Sequence, residues 1–103
     1  MGKRFTLRYL PLFARDLAEA QDYIALNLKN PSAALRLVED TERAILQRSA
    51  NPLSFAPYRS IRDRKLPYYR INIGNYTVFY VVIGEIMEVR RFVYSKRDIP
   101  HIL

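Results

Sequence analysis

Several residue types and patterns are missing from this chain of 103 residues, and each absence excludes a class of protein. There is no cysteine, which excludes a disulfide framework, a thiolate metal site and a cysteine nucleophile. The single histidine and the dispersed carboxylates form no ligand spacing, so the sequence predicts neither a metal nor another cofactor. No apolar run approaches the roughly 20 residues that cross a membrane, and no apolar segment follows Lys3 and Arg4 as it would in a signal peptide. The sequence therefore favours a reducing cytoplasm and predicts no membrane partner.

Acidic residues are few compared with basic ones. Ten Asp and Glu face seventeen Lys and Arg, and the formal net charge is +7. This excess says nothing about the fold, but it favours an acidic protein, a nucleic acid or an anionic surface as the partner. Two basic segments in the second half of the chain carry most of the excess. They contain Arg59, Arg62, Arg64, Lys65 and Arg70 in the first segment, and Arg90, Arg91, Lys96 and Arg97 in the second.

Hydrophobic residues make up 50% of the chain, which indicates a globular protein, and the length predicts one domain over residues 1–103. Apolar residues recur every three or four positions in two segments, and they alternate with polar residues or form short runs in four others. Asn30-Pro31 separates the two helical segments so briefly that they should form an antiparallel hairpin. The expected order is a strand at 4–10, helices at 12–29 and 32–49, a loop at 52–67, and strands at 68–73, 76–83 and 86–94.

The order β-α-α-β-β-β predicts an α+β fold, in which the helical hairpin packs on one face of an antiparallel sheet. Two-residue turns that begin with glycine are expected between the last three strands. The face without helices, and the loop before it, would then carry arginine, lysine and tyrosine. With a period of two, the last strand places Met87, Val89 and Val93 on one face and Glu88, Arg90, Phe92 and Tyr94 on the other.

Four segments of the chain resemble the RelE/ParE superfamily, the toxins of bacterial type II toxin–antitoxin pairs. Residues 13–24 (FARDLAEAQDYI) look like the first helix of that superfamily, and residues 30–34 (NPSAA) look like its turn between helices. Residues 69–80 resemble its central hairpin, and residues 89–98 (VRRFVYSKRD) resemble its closing strand. The order and spacing of these segments cover nearly the whole chain.

The resemblance implies a cytoplasmic toxin of a plasmid-stabilisation module, which a partner antitoxin holds silent. RelE-like members cleave mRNA on the ribosome, whereas ParE-like members inhibit DNA gyrase and need no hydrolytic site. Fold alone does not choose between these targets.

Candidate catalytic residues follow from the same resemblance. Arg70 occupies the basic position on the strand before the hairpin, and Arg97 occupies the basic position after the last strand. His101 can supply the general acid or base that a C-terminal tyrosine provides in nucleases. Two departures matter, because Thr77 stands where RelE-like nucleases often have arginine and the sequence ends at Leu103 without a tyrosine. Each candidate also has an ordinary interpretation, as a solvated surface charge or a tail residue.

Basic and aromatic residues near these positions are candidates for binding a nucleic acid or a protein target. The arginines and lysines can contact phosphates, or they can be solvated charges. Tyr68 and Tyr94 alternate onto the expected basic face, where they can stack on bases or pack across strands, whereas packing is expected for Tyr69 and Tyr80. The candidate binding residues are Arg62, Arg64, Lys65, Tyr68, Arg90, Tyr94 and Lys96.

Clustered arginine and tyrosine on one expected face favour a toxin that cleaves ribosome-bound mRNA. The alternatives are a ParE-like gyrase inhibitor without nuclease activity and a non-toxic domain that binds nucleic acid or protein. The expected partners are the cognate antitoxin and either the ribosome with its mRNA or DNA gyrase.

Overall fold

A computed structural model describes residues 4–58, 66–97, 99 and 103. The elements follow the expected order, with helices and strands close to the predicted bounds. None of the helices in these described ranges combines the length and apolar character that a bilayer crossing requires. The elements are β1 (Thr6–Tyr9), α1 (Pro11–Asp22), a π-helical turn (Tyr23–Asn27), α2 (Pro31–Arg48), β2 (Tyr69–Ile73), β3 (Tyr76–Ile83) and β4 (Ile86–Tyr94).

The first helix is shorter than the predicted span of 12–29, because its last turn is π-helical. Pro11 opens α1 at a position where its missing N–H costs no hydrogen bond. In the π-helical turn, the N–H of Leu28 donates to the carbonyl of Tyr23, five residues back, at 3.1 Å. Lys29 then adopts a left-handed conformation with φ of 51°, and this residue reverses the chain towards α2.

The second helix begins where the Asn-Pro pair predicts. The side chain of Asn30 accepts a hydrogen bond from the N–H of Ala33 at 3.2 Å, which satisfies one of the free donors at the helix start. Three members of the predicted apolar stripe are buried, namely Ala34, Thr41 and Ile45. The hydroxyl of Thr41 donates to the carbonyl of Leu37 at 2.7 Å, so this polar group enters the core with its hydrogen bond made.

The strands form one sheet in the order β1-β4-β3-β2. The pairs β2–β3 and β3–β4 are antiparallel hairpins, and Gly74 and Gly84 begin their two-residue turns with φ of 56° and 59°. The pair β1–β4 is parallel, so the sheet is mixed and the expectation of a wholly antiparallel sheet was wrong in this pair. The helical hairpin is the crossover that carries the chain away from β1, which allows β4 to run in the same direction.

A β-bulge in β4 makes the predicted assignment of its side chains to the two faces of the sheet wrong beyond Arg90. Phe79 of β3 pairs with Arg91 and Tyr80 pairs with Val89, so Arg90 is an extra residue. Because an extra residue reverses the alternation beyond it, the side chains of Phe92 and Val93 exchange faces. Phe92 lies in the helix-side core and Val93 lies on the opposite side, contrary to the prediction from a strict period of two.

Two apolar clusters lie on the two sides of the sheet. The main core fills the space between the sheet and the helices, and its largest fully buried side chain is that of Tyr80. The hydroxyl of Tyr80 donates to the carbonyl of Pro52 at 2.7 Å, so packing is confirmed for this ring. The outer face, defined as the side of the sheet without helices, holds a smaller cluster. It contains Tyr68, Phe79, Val81 and Val93, with Tyr58, Ile83, Ile99 and Leu103 packed against it.

Candidate functional site

The outer face carries Arg70 beside apolar side chains. Arg70 lies between Tyr69 and Ile71, which point to the helix side, so its exposed side chain projects from the opposite side. Its guanidinium lies 5.3 Å from the ring centroid of Tyr58, a cation–π arrangement. Tyr68 on the same face is only 7% exposed and meets the ring of Phe79 edge-on at 6.1 Å. Its ring is therefore packed and does not offer a free stacking surface.

A buried carboxylate neutralises two of the basic residues near this face. Glu88 accepts hydrogen bonds from Arg8 at 2.8 Å and from Arg90 at 2.7 Å, and its side chain is 7% exposed. Burial raises the pKa of the Glu88 carboxyl, but the hydrogen bonds from Arg90 and Arg8 outweigh it and leave the pKa below its ordinary value. Glu88 is therefore ionised near neutral pH. The Arg90 side chain hydrogen bonds with both Glu88 and Tyr68.

Thr77 occupies the position at which the nuclease branch of the resembled superfamily often has arginine. The Thr77 hydroxyl hydrogen bonds with the Asn72 side chain at 3.2 Å and with the Ser95 hydroxyl at 2.8 Å. Thr77 is 3% exposed, so these partners satisfy a polar group that has little access to water. Among the described residues, the partners of the Thr77 hydroxyl are therefore uncharged.

Arg97 lies at a different place, in a cavity of about 640 Å³ on the helix side of the sheet. We call this cavity the tyrosine pocket, because Tyr23, Tyr76 and Tyr94 line it. Tyr76 stacks on Phe92 with ring centroids 4.9 Å apart, and Tyr94 meets Tyr76 edge-on at 5.6 Å. Burial, followed by the neighbouring Tyr94 and Tyr23, raises the pKa of Tyr76, so its hydroxyl is neutral at physiological pH. The other lining residues are Asp16, Glu19, Ala20, Ile24, Leu28, Asn75 and Phe92.

An ion pair joins α1 to β4 beside the tyrosine pocket, and its acidic member, Asp16, lines the pocket. Asp16 accepts hydrogen bonds from the Arg91 guanidinium at 2.8 and 3.3 Å, and from the backbone N–H of Phe92 at 3.0 Å. The two side chains are 11% and 20% exposed. The sequence reasoning did not find this pair, because 75 residues separate its members and no local pattern joins them.

A second cavity, of about 510 Å³, lies between α1, α2 and β1. We call it the hairpin groove. Its lining is mostly apolar, with Leu7, Phe13, Leu17 and Val38 among its members. Two further members are exposed hydrophobic residues, since Tyr9 is 46% exposed and Leu46 is 54% exposed. In the described ranges, no group of three or more His, Cys, Asp or Glu is arranged to hold a metal ion.

Comparisons with known proteins agree with the fold. A family described as the ParE toxin of the type II toxin–antitoxin system parDE matches residues 7–99. The chain belongs to the ParE toxin family. A solved structure described as a chromosomal ParDE toxin–antitoxin system from P. aeruginosa has a TM-score of 0.71 and 18% identity, and the alignment covers 90% of this chain and 98% of that one. No curated protein matches significantly.

The predicted convergence of basic residues on one face of this ParE family member is wrong for the two main candidates. Arg70 projects from the outer face, whereas Arg97 and Tyr94 line the tyrosine pocket on the helix side. Lys96 is exposed in the turn after β4. The remaining candidates lie outside the described residues, and these are Arg62, Arg64, Lys65 and His101.

Proposed function

We propose that this ParE family toxin stops growth in the cytoplasm by inhibiting DNA gyrase, without cutting RNA. The observation that carries the proposal is the separation of Arg70 and Arg97, which lie on opposite sides of the sheet. Gyrase inhibition needs a binding surface and no assembled hydrolytic group. This is the ParE-like alternative from the sequence, and mRNA cleavage remains an untested prediction that the geometry favours less.

Cleavage of RNA beside a 2′-hydroxyl needs a group that removes the proton, cations at the phosphate and an acid for the leaving oxygen. All three must reach one phosphodiester. On the outer face, Arg90 is engaged by Glu88, and Thr77 hydrogen bonds with its two neighbours. Arg70 is therefore the remaining cationic candidate on the described part of this face, and one arginine does not supply the three roles.

The direct test compares two reactions of the purified toxin. We expect loss of gyrase supercoiling activity and accumulation of gyrase-dependent DNA breaks, with mRNA on translating ribosomes left intact by primer extension. In cells, thymidine incorporation should fall before methionine incorporation. Unchanged supercoiling together with new mRNA ends would overturn the proposal and favour the nuclease.

We also propose that the cognate antitoxin covers the hairpin groove. The exposed Tyr9 and Leu46 rim an apolar groove, which suits the apolar stripe of an amphipathic helix. Leu46→Glu should leave toxicity intact but prevent rescue when the antitoxin is co-expressed. The matched control is Leu26→Glu, since Leu26 is 72% exposed and lies outside the groove. Full rescue of Leu46→Glu would contradict this docking site.

A further inference from the structure

Arg8 on β1 directs its side chain to the outer face of the sheet. The preceding residue, Leu7, packs against the helix-side core, and successive side chains of a strand point to opposite faces. Arg8 is the partner of Glu88 in the parallel pairing of β1 with β4, and the two side chains form an ion pair at 2.8 Å. The Arg8 side chain remains 48% exposed, whereas that of Glu88 is 7% exposed. Arg8 is therefore a cation that solvent, or a ligand, can reach.

The single carboxylate of Glu88 does not balance both of its arginine neighbours. One oxygen of Glu88 accepts a hydrogen bond from Arg90 at 2.7 Å, and the other accepts one from Arg8 at 2.8 Å. Two positive charges against one negative charge leave one positive charge in excess. Arg90 is the more buried of the two arginines, with 29% of its side chain exposed, so the excess is most accessible at Arg8. Glu88 contacts the Nε and Nη2 atoms of Arg8, which leaves its Nη1 group for a second acceptor.

Arg70 places a second exposed cation at the other edge of the outer face. The strand order β1-β4-β3-β2 puts Arg8 and Arg70 on the two edge strands, three strand spacings apart. Because neighbouring strands lie about 4.8 Å apart, the two backbones are separated by roughly 14 Å. The major groove of duplex DNA is about 12 Å wide. Two long arginine side chains at this separation can therefore reach phosphates on both sides of one groove.

The surface between these two arginines is poor in exposed apolar groups. The apolar cluster of the outer face is covered, since each of its central side chains is at most 7% exposed, namely Tyr68, Phe79, Val81 and Val93. A protein interface usually needs apolar anchors at its centre, whereas contact with phosphates needs exposed cationic donors. The other described acidic side chains lie on the two helices or in the turn between β3 and β4. The exposed chemistry of this face therefore fits phosphates better than a protein.

We propose that the toxin itself binds duplex DNA, with one backbone phosphate on Arg8 and another on Arg70. The choice of duplex DNA over RNA rests on the proposed inhibition of gyrase, because gyrase acts on duplex DNA. Contacts with phosphates carry no base information, so the binding is independent of sequence. In a complex with gyrase, these contacts place the toxin against the DNA that the enzyme holds.

The test uses the full chain, without gyrase, and a short fluorescein-labelled DNA duplex of mixed sequence. Fluorescence anisotropy should show a dissociation constant of roughly 10⁻⁶–10⁻⁴ M at physiological salt, and the affinity should fall linearly on a logarithmic salt scale. Inorganic phosphate, added at the same phosphate concentration as the duplex, should not compete. Competition by inorganic phosphate would overturn the proposal in favour of a free anion. Equal or tighter binding of a single-stranded RNA of the same length would overturn the choice of duplex DNA.

Matched variants separate the two phosphate contacts from general charge attraction. Arg8→Ala should weaken binding about eightfold at 0.1 M salt and lower the salt slope by about 0.9, because one phosphate contact is lost. Arg43→Ala is the control, since Arg43 is 64% exposed and pairs with Asp40 on α2. It also removes one charge and leaves a carboxylate behind, but it should change binding less than twofold. Equal effects of Arg8→Ala and Arg43→Ala would reject the site.

Arg70→Ala repeats the test at an exposed position that makes no ion pair with Glu88. It should cause the same loss as Arg8→Ala, and thermal melts should show that each variant is folded at the temperature of the assay. Unchanged binding of the folded Arg70→Ala variant would contradict the second contact.

The outcome for DNA binding is distinguishable from the outcome for gyrase inhibition. If the wild type inhibits supercoiling but does not bind the duplex, only the DNA contact is wrong. If it binds the duplex with the expected losses in Arg8→Ala and Arg70→Ala but leaves supercoiling unchanged, the DNA contact stands and the gyrase proposal is wrong.

Discussion

At the residue scale, Glu88 makes stability depend on pH. Its folded pKa lies below its ordinary value of 4.5, so the carboxylate contributes stability above that value, and the contribution is lost as pH falls through the folded pKa. Glu88→Gln removes the charge that Arg8 and Arg90 share. We expect the free energy of unfolding at neutral pH to fall by about 2 kcal/mol, measured by urea denaturation.

Repeating the urea denaturation at acidic pH tests the role of the Glu88 charge more directly. The difference between wild type and Glu88→Gln should shrink as the pH is lowered below 4.5, because protonation removes the same charge from the wild type. Glu39→Gln is the control, since Glu39 is exposed on α2 and its replacement should change stability at neutral pH by less than about 0.5 kcal/mol. A constant difference between wild type and Glu88→Gln across this pH range would contradict the assigned role.

The family resemblance named Arg70 and Arg97 as candidates, but it did not show which residues surround them. The pairs that decide which cations are engaged join distant segments, since Arg8 reaches Glu88 across 80 residues and Arg91 reaches Asp16 across 75. Pairing of this kind is a property of the assembled sheet. The roles of the candidate site residues therefore could not be read from the basic segments alone.

At the scale of an element, the turn between the helices contains a residue in an unfavourable conformation. Lys29 has φ of 51°, which costs a residue with a Cβ about 1 kcal/mol relative to glycine. Lys29→Gly should raise the free energy of unfolding by about 0.5–1 kcal/mol, after allowance for the greater freedom of glycine in the unfolded chain. A thermal melt should show the midpoint rising by a few degrees.

The control for that substitution is Lys29→Ala, which removes the same charge and keeps the Cβ. Its melting temperature should not exceed that of the wild type. Equal gains from both substitutions would assign the effect to the charge of Lys29 and not to its backbone conformation.

Periodicity located the helices and strands to within a few residues, because each buries one face and repeats its apolar residues accordingly. It failed where one residue is added to a regular element. The bulge at Arg90 reverses the faces of Phe92 and Val93, and the π-helical turn at Tyr23 ends α1 early. No characteristic residue type marks either irregularity in the sequence. A search for apolar residues that repeat every two positions, or every three to four, therefore does not detect them.

At the scale of the whole molecule, the excess of positive charge should oppose folding by self-repulsion. The Debye length falls from about 30 Å at 0.01 M salt to about 8 Å at 0.15 M, so added sodium chloride should screen this repulsion. At neutral pH the melting temperature should rise by a few degrees over that range, corresponding to about 0.5–1 kcal/mol.

The matched control is the same titration near pH 10, close to the sequence pI of about 10.0, where the net charge is small. There the salt-dependent rise should disappear. A rise of equal size at both pH values would assign the effect to preferential hydration and not to the net charge.

The parallel pairing of β1 with β4 also bears on how the toxin is made. Thr6 pairs with Ile86 and Tyr9 pairs with Val89, so the first strand has no partner until almost the whole chain has left the ribosome. At ordinary rates of translation this delay is roughly 4–16 s. During that interval the strands of the central hairpin are also incomplete, and neither the tyrosine pocket nor the hairpin groove exists. The toxin can therefore fold completely only when its synthesis is nearly finished. The interval before that point is available for an antitoxin to be made and to bind the toxin as soon as it folds.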